Sequence, residues 1–404
     1  KRTDAYGGDI NGRLKLTLEV IAEVRKICGI DFIIDVRISG DEYSDGGLNL
    51  NDAIYVSKQL EKAGVDMLHV SGGTTIKRGS SIPAPGTKMG SHSALSAEIK
   101  KHVSIPVATV GRITEPWLAE ELLENDKADI CMIGRANLCE PEFCNKAQAG
   151  HEEDIRPCIG CLRCLNGIMF GKRVACTVNP SLEPENEDTI TPAKETKNVL
   201  VIGGGPAGME AAYVAAKRGH HVGVFEKEKK AGGQLNLACR APFKQEISKW
   251  IVYLLQECDR YGAEIRYEIE VNADVIKAEN PDIVILATGA EPIVLPVEGK
   301  ETMIQANDVL SGKVPILGGN AAIIGGGMVG IETAEYVLHH SRGAARAALI
   351  EMTDSIGQGM VPNNLVPTMA RLRQENVQMI TGARVKKIDA GTIIADTKKG
   401  EMKY

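Results

Sequence analysis

The sequence lacks the features that mark membrane-spanning, secreted and nucleic-acid-binding proteins. It contains no run of about 18 apolar residues that could span a bilayer, and no charged-then-apolar signal segment stands at its start. It also lacks a basic face or a block of like charge, because the net charge of −6 comes from interspersed acids and bases. We therefore expect a cytoplasmic protein that binds neither nucleic acid nor a membrane.

Cysteine is too dilute for a disulfide scaffold, since ten cysteines are spread over 404 residues. A chain of this length with 43% hydrophobic residues can form two or three globular domains. Four of the cysteines are bunched and six are scattered, which favours metal binding over disulfides. The scattered ones are predicted to be buried small apolar residues, namely Cys28, Cys131, Cys139, Cys144, Cys239 and Cys258.

The beginning of the chain alternates helical patterns with short apolar runs, which predicts four βα units. Each run ends in polar or glycine-rich residues, and these endings lie where barrels keep their active sites. Since the chain opens in mid-motif at Lys1 and stops at Tyr404 soon after a β-type run, we expect a fragment truncated at both ends. The four apolar runs are 32–38, 67–70, 107–110 and 130–133.

A glycine-rich loop follows the apolar run 199–202 and precedes a helix of small residues. Its first glycine permits a tight turn, its second lets the backbone approach a pyrophosphate, and its third allows close helix packing. The next strand ends on an acid that is placed to accept a hydrogen bond from a ribose hydroxyl. The residues assigned to this dinucleotide, interpreted as FAD, are Gly203, Gly205, Gly208, Glu226, Gly233 and Gln234.

The same pattern recurs after the apolar run 321–324. Again the following strand ends on an acid, whose carboxylate favours the free ribose hydroxyls of NADH and repels the extra phosphate of NADPH. Two sites in tandem imply FAD in the first and a nicotinamide cofactor in the second. NADH is the prediction, and NADPH is the alternative. The residues assigned to NADH are Gly325, Gly327, Gly330 and Glu351.

The bunched cysteines have the spacing Cys158-x2-Cys161-x2-Cys164-x11-Cys176. Three thiolates within seven residues and a fourth after a short loop suit a four-iron four-sulfur cluster. A tetrahedral zinc site is the alternative, and spacing alone does not exclude it. A redox cluster is favoured because electron-carrying flavins would lie beside it.

Taken together, these motifs resemble a known family. They comprise the opening segment 2–8, the strand ends 36–39, 110–113 and 133–135, the four bunched cysteines and both glycine loops. They resemble the old yellow enzyme-related NADH:flavin oxidoreductases, closest in the 2,4-dienoyl-CoA reductase and 2-enoate reductase branch. That branch also includes trimethylamine dehydrogenase and the bile-acid-modifying reductases. The resemblance implies an eight-stranded barrel that holds FMN, a cluster beside it, and an FAD and nicotinamide module.

The resemblance also assigns residues to FMN. Arg37 matches the arginine beside the pyrimidine edge of the flavin, where a positive charge stabilises the anionic reduced form. A phosphate clamp at the last two strand ends matches Gly111, Arg112, Gly134 and Arg135. The strands present correspond to the second half of the barrel, so the proton donor is expected in the missing N-terminal half. The catalytic residues are therefore unassigned.

The predicted fold class is α/β, with half of a TIM (β/α)8 barrel followed by an iron–sulfur segment and Rossmann-like domains. The C-terminal half of the barrel occupies 1–150, the iron–sulfur segment 151–180 and a linker 181–197. The FAD-binding domain is predicted at 198–315, and an incomplete NAD(H)-binding domain at 316–404.

The function implied by the resemblance is that of an NADH-dependent flavin and iron–sulfur oxidoreductase. Electrons would flow from NADH through FAD, the 4Fe–4S cluster and FMN to the C=C bond of an enoate, enoyl-CoA or enone. One alternative is an amine dehydrogenase of the trimethylamine dehydrogenase type, against which the intact second glycine loop argues. Another is an electron-transfer protein that reduces a partner protein. A homo-oligomer is compatible with the sequence, which leaves the oligomeric state open.

Overall fold

The computed structural model describes residues 2–74, 80–182, 190–316, 318–341 and 345–404. The chain forms two compact units. The first ends at Lys172 and also includes Pro362–Pro367, and the second comprises Arg173–Val361 and Thr368–Tyr404. Within the described ranges, no helix is long and apolar enough to cross a membrane.

The first unit contains a four-stranded parallel sheet whose strands lie in chain order, with helices between them. This confirms the α/β class and the four predicted βα units of the TIM-barrel region. The strands are β1 (Asp35–Ser39), β2 (Met67–Ser71), β3 (Val107–Thr109) and β4 (Ile130–Cys131). The helices are α1 (Ile10–Cys28), α2 (Leu50–Lys62), α3 (Ser93–Lys100), α4 (Pro116–Glu124), α5 (Arg135–Cys139), α6 (Phe143–Gln148) and α7 (Arg163–Met169).

Alternate side chains of this sheet point to opposite faces, as the pleat of a strand requires. Val36 and Val107 pack in an apolar cluster with buried residues of α1, α2 and α3. One residue further along β1, β2 and β3 lie Arg37, His69 and Ala108, which pair with one another in register. Arg37 therefore lies on the sheet face opposite the helices, which in a barrel is the interior face.

β1 begins at Asp35, three residues later than the apolar run that predicted it. The segment before it is held by side chains instead of by strand pairing. Arg25 donates from Nη1 to the carbonyl oxygens of Phe32 and Ile30, the latter at 3.1 Å. The backbone N–H of Ile34 donates to the Asp66 carboxylate at 2.7 Å. Arg25 also pairs with Asp66 while its own side chain is only 14% exposed.

We predict that Arg25→Met lowers the free energy of unfolding of the whole protein by about 2 kcal/mol, because several charge-assisted hydrogen bonds to carbonyl groups are lost. Lys26→Met is the matched control. Lys26 is the neighbouring cation on the same helix, but it is 75% exposed and pairs only with nearby Glu23. Urea denaturation followed by circular dichroism measures both. Equal effects of the two substitutions would contradict the structural role of Arg25.

The second unit contains a parallel sheet in the order β7-β6-β5-β8, which is the arrangement of a Rossmann half. Helices follow the strands and cover the sheet. The strands are β5 (Asn198–Ile202), β6 (His221–Phe225), β7 (Glu264–Arg266) and β8 (Ile283–Leu286). The helices are α8 (Pro206–Lys217), α9 (Leu235–Ala238), α10 (Ile247–Tyr261), α11 (Ala273–Glu279) and α12 (Ala306–Ser311).

A second parallel sheet, in the order β11-β10-β9, repeats this arrangement in the same unit. An antiparallel meander follows it. The parallel strands are β9 (Gly319–Ile324), β10 (Ala345–Ile350) and β11 (Gln378–Ile380), with helices α13 (Met328–His340) and α14 (Pro362–Gln374). The meander consists of β12 (Arg384–Asp389), β13 (Thr392–Thr397) and β14 (Gly400–Lys403). The two predicted Rossmann-like sheets are thus confirmed.

Candidate cofactor sites

The loop between β5 and α8 accepts only glycine at two of its positions. Gly203 has a φ of +106°, and a Cβ there would lie 2.4 Å from the carbonyl oxygen of Ala287. A Cβ at Gly208 would lie 1.9 Å from the carbonyl oxygen of Gly203. Both contacts would be steric overlaps. The first turn of α8 can pack directly against the loop because neither glycine carries a side chain.

Gly205 has the opposite environment, because no atom lies within 4 Å of a Cβ built there. It is the N-cap of α8, whose free N–H groups and dipole attract an anion. A Cβ at Gly233 would lie 3.1 Å from the Cα of Gly205, and Gln234 donates from Nε2 to the carbonyl oxygen of Ala290. The structure thus brings the predicted FAD residues of two loops together and leaves the space that a pyrophosphate requires.

Glu226 stands at the end of β6 and is only 6% exposed. Its Oε2 accepts a hydrogen bond from the N–H of Gly204 at 2.7 Å, and its Oε1 accepts one from the N–H of Glu228 at 2.9 Å. Each carboxylate oxygen has a second lone pair, which a ribose hydroxyl can use. The geometry fits FAD, and the assignment of Glu226 as its ribose ligand stays a prediction.

The loop between β9 and α13 repeats this geometry. A Cβ at Gly330 would lie 1.9 Å from the carbonyl oxygen of Gly325, whose φ is +110°, while a Cβ at Gly327 would meet no atom within 4 Å. Glu351 accepts hydrogen bonds from the N–H groups of Gly326 at 2.7 Å and Thr353 at 2.8 Å. Burial alone would raise the pKa of Glu351, but these backbone hydrogen bonds hold it below its ordinary value. The carboxylate is therefore ionised at neutral pH.

In the first unit, the arginine predicted to contact the flavin is accessible. Arg37 is exposed on the interior face of the sheet and donates from Nη2 to Ser71 Oγ at 3.0 Å. Ser71 is the last residue of β2, so the guanidinium reaches the C-terminal edge of the sheet. Barrel enzymes bind their ligands at that edge. The position fits the role that the resemblance implies, and that role stays a prediction.

The predicted phosphate-clamp residues lie at the same edge. Arg112 is buried in a left-handed conformation (φ +54°) and donates from Nη1 to the carbonyl oxygens of Thr87 and, at 3.1 Å, Ala84. Arg135 donates from Nη1 to the carbonyl oxygen of Pro83 at 3.2 Å. Both arginines therefore hold the segment 83–87. The flanking glycines are Gly111, with a φ of +126°, and Gly134, the N-cap of α5.

One residue near this edge was not predicted from the sequence. His92 is only 3% exposed, and its ring lies against the positions that Cβ atoms of Gly72 and Gly111 would occupy, at 2.7 Å and 3.0 Å. Burial, and then the charge of Arg37, lower the pKa of His92. It lies 21 residues after the end of β2 and 17 before the end of β3, so only the two glycines could have signalled a bulky neighbour.

The predicted metal ligands Cys158, Cys161, Cys164 and Cys176 are all half-buried. The chain turns sharply between the first three, because Gly160 and Leu162 adopt left-handed conformations with φ of +67° and +62°. Such turns allow successive thiols to point to one side. An all-thiolate donor set suits an iron–sulfur cluster and also zinc, so the residues fit the expected cluster without identifying the metal.

The prediction for the scattered cysteines is only partly right. Cys139 and Cys258 are buried, and burial raises the pKa of Cys258 to about 12, so it is an unreactive thiol. Cys28 and Cys144, however, are exposed. The prediction was wrong for these two because both lie on outward faces of helices, where helical periodicity and not residue type decides burial.

Comparison with known families identifies the class of protein to which these modules belong. Residues 197–404 match the pyridine nucleotide-disulphide oxidoreductase family, and residues 1–154 match the NADH:flavin oxidoreductase / NADH oxidase family. The chain belongs to the flavin-dependent oxidoreductases in which these two modules are joined, which confirms the class that the motifs indicated.

Individual relatives match this chain from end to end. It is 38% identical over 412 residues to an NADH oxidase from Thermoanaerobacter brockii, covering 100% of this chain and 63% of the relative. It is 37% identical over 410 residues to a bilirubin reductase from Mediterraneibacter gnavus (strain CC55_001C), with the same coverage. Among solved structures, a 2-naphthoyl-CoA reductase complex has a TM-score of 0.93 and 28% identity, covering 100% of this chain and 61% of that one. The chain thus spans less than two thirds of each relative.

We predict that Gly205→Ala weakens FAD binding about 10-fold to 100-fold, because the added methyl group occupies the open space above the helix N-terminus. Folding should be unaffected, since that methyl group meets no protein atom within 4 Å. Gly223→Ala on β6 is the control, because its Cβ would make only an ordinary 3.6 Å contact with Phe225. Flavin content and the melting temperature of the apoprotein are measured. Normal FAD binding by Gly205→Ala would contradict this site.

For the cysteine segment, we predict that Cys164→Ser abolishes binding of iron and acid-labile sulfide, because a cluster bound by four thiolates loses one ligand. Cys144→Ser should retain both, since this exposed thiol lies outside the ligand pattern. Elemental analysis of anaerobically purified protein measures the outcome. Zinc in place of iron in the wild-type protein would refute the cluster and leave the metal site intact.

Proposed function

We propose that the protein is an NADH-dependent flavin and iron–sulfur oxidoreductase that reduces the C=C bond of an α,β-unsaturated carbonyl compound. The observation that carries this proposal is the presence of two complete dinucleotide loops in one chain with a four-cysteine segment and the barrel region that matches the NADH:flavin oxidoreductase family. A protein that only binds one nucleotide needs neither the second loop nor the thiols. A cytoplasmic location is part of the proposal, because cysteines in reducing compartments more often bind metals than form disulfides.

The choice of NADH rests on Glu351. Its carboxylate is ionised and fixed by two backbone N–H groups at the end of β10, where the adenosine ribose of a bound nucleotide would lie. A 2′-phosphate at that place would meet the negative charge at close range. The following residues, Met352 and Thr353, bring no cation. Free ribose hydroxyls, by contrast, can donate to the unused lone pairs of the carboxylate.

We infer that electrons pass from NADH to FAD, then to the cluster, then to FMN and the substrate. Bound FAD and FMN would supply hydride chemistry, and the cluster would supply single-electron transfer between them. The chain's own residues bind and tune these groups. The two glycine loops orient the dinucleotides, the four thiolates hold the metal, and Arg37 provides positive charge at the barrel edge.

The substrate class is supported by the names of two relatives, which are reductases of bilirubin and of 2-naphthoyl-CoA. Both compounds contain conjugated carbon–carbon double bonds. In the net reaction NADH supplies a hydride, a proton is taken up, and C=C becomes CH–CH while NAD⁺ is released. Arg37 would hold a positive charge beside the bound flavin and would thereby favour its reduction.

The test is anaerobic NADH oxidation by the whole protein in the presence of enoyl thioesters, enoates and enones. A tertiary amine with an electron acceptor is assayed in parallel. Alkene-dependent loss of NADH with formation of the saturated product supports the proposal. Amine oxidation would instead support an amine dehydrogenase, and flavin reduction without turnover of any alkene would support electron transfer to a protein partner.

We predict that Glu351→Ala raises the Kd for NADH about 10-fold, because a charge-assisted hydrogen bond to the ribose is lost. The preference for NADH over NADPH should shrink as well, since the repulsion of the 2′-phosphate disappears. The exposed acid Glu375→Ala, at the end of α14, is the control. Titration of each variant with both nucleotides measures the effect. A preference for NADPH in the wild-type protein would contradict the assignment.

A further inference from the structure

A short loop links the FAD-binding loop to α12 and to two helices of the nicotinamide half, α13 and α14. Residues 240–246, between α9 and α10, form this loop, which we call the 240–246 loop. Arg240 donates from Nη1 to the carbonyl oxygen of Ser311 at the end of α12, at 3.1 Å. Lys244 pairs with Glu332 of α13 at 2.8 Å. Two cations of one loop therefore hold two different helices.

The third contact of the 240–246 loop is made by Phe243. The guanidinium carbon of Arg371, on α14, lies 4.4 Å from the centroid of the Phe243 ring, within the range of a cation–π interaction. Phe243 has a φ of +65°, a left-handed conformation that residues other than glycine disfavour. Such strain persists only where surrounding contacts hold it, and it is common at functional sites.

Arg371 also donates hydrogen bonds to two polar side chains. Its Nε donates to Oε1 of Glu335, on α13, at 2.8 Å, and its Nη2 donates to Thr368 Oγ1 at 3.0 Å. The Glu335 side chain is only 11% exposed. Burial raises the pKa of Glu335, and Arg371 only partly offsets this effect. The Arg371 side chain is thus held by three partners, namely Phe243, Glu335 and Thr368.

The contacts of Arg371 join two segments, the 240–246 loop and α13, and each segment connects directly to one of the nucleotide sites. Through the four residues of α9, the 240–246 loop continues from Gly233 and Gln234, which close over the first glycine loop. α13 carries Glu332 and Glu335 and begins directly after Gly327 of the second glycine loop. A shift of α13 relative to the 240–246 loop therefore changes the separation of the two nucleotide sites.

We propose that Arg371, which lies over the Phe243 ring and pairs with Glu335, is a positioning residue that fixes the nicotinamide-binding helix against the FAD-binding loop. The inference rests on the proposed NADH-to-FAD step and deepens it. In that step the C4–H bond of the dihydronicotinamide breaks and its electron pair moves with the hydrogen to FAD, so that NADH is oxidised and FAD is reduced by two electrons. Misplacement of reacting atoms by about 1 Å can slow such a step about 100-fold.

The test compares Arg371→Met with Arg266→Met in the whole, FAD-loaded protein. Arg266 is a matched control, because it also lies near an aromatic ring, 5.3 Å from the centroid of Phe225, and pairs with acids at 2.9 Å and 3.4 Å. These partners, however, belong to β6, β7 and α11 of the FAD-binding half. Anaerobic stopped-flow mixing with NADH gives the limiting rate of FAD reduction and the Kd for NADH separately.

The expected result is that Arg371→Met lowers the limiting rate about 10-fold to 100-fold, leaves the Kd for NADH within about twofold, and retains FAD. Arg266→Met should match the wild type. Phe243→Gly should reproduce the loss of rate without backbone strain, and the double variant should be no slower than Arg371→Met, because both changes remove one contact. Hydrogen exchange in the 240–246 loop should rise for Arg371→Met only.

A wild-type limiting rate in Arg371→Met would overturn the inference, and so would a parallel loss of FAD and of NADH affinity, which indicates a merely structural role. If the wild-type protein itself is not reduced by NADH, the proposed function fails and the inference fails with it. The two failures are therefore distinguished by the wild-type trace.

Discussion

The interaction on which the two nucleotide sites depend is a hydrogen bond between a strand-end glutamate and the second glycine of a loop. Glu226 accepts from Gly204, and Glu351 accepts from Gly326, each at 2.7 Å. Each bond ties the end of one strand to the loop after its neighbour. The loop is thereby held close to the strand ends, and the N-terminus of the following helix stays open for an anion. The helix dipole and the shape of the loop backbone therefore both favour binding of an anionic pyrophosphate.

The proposed path of electrons follows from the separation of tasks along the chain. The second unit holds the two nucleotide loops and the contacts that keep them in register, while the first holds Arg37 and the strand ends of the barrel region. The four cysteines between Cys158 and Cys176 suit a cluster that would transfer single electrons. Each proposed cofactor site combines backbone N–H groups, thiols or a guanidinium, which are polar groups suited to binding charged cofactors.

Much of this could be predicted from the sequence, and the reason is physical. Gly208 and Gly330 stand where a Cβ would overlap a carbonyl oxygen, so their spacing is dictated by sterics and is visible in the sequence. The start of β1 was missed because Arg25 and Asp66, which fix the preceding backbone, lie 41 residues apart. Arg371, Glu335 and Phe243 likewise meet only in the folded chain, and no local pattern predicts their contact.

The most direct test of the account is rapid-freeze EPR of the whole protein after anaerobic mixing with NADH. The account predicts that the signal of a reduced iron–sulfur cluster appears after FAD begins to be reduced, and that Cys164→Ser lacks the signal while its FAD is still reduced at the normal rate. Reduction of both flavins at unchanged rates in Cys164→Ser would show that the thiols carry no electrons, and would contradict the central claim.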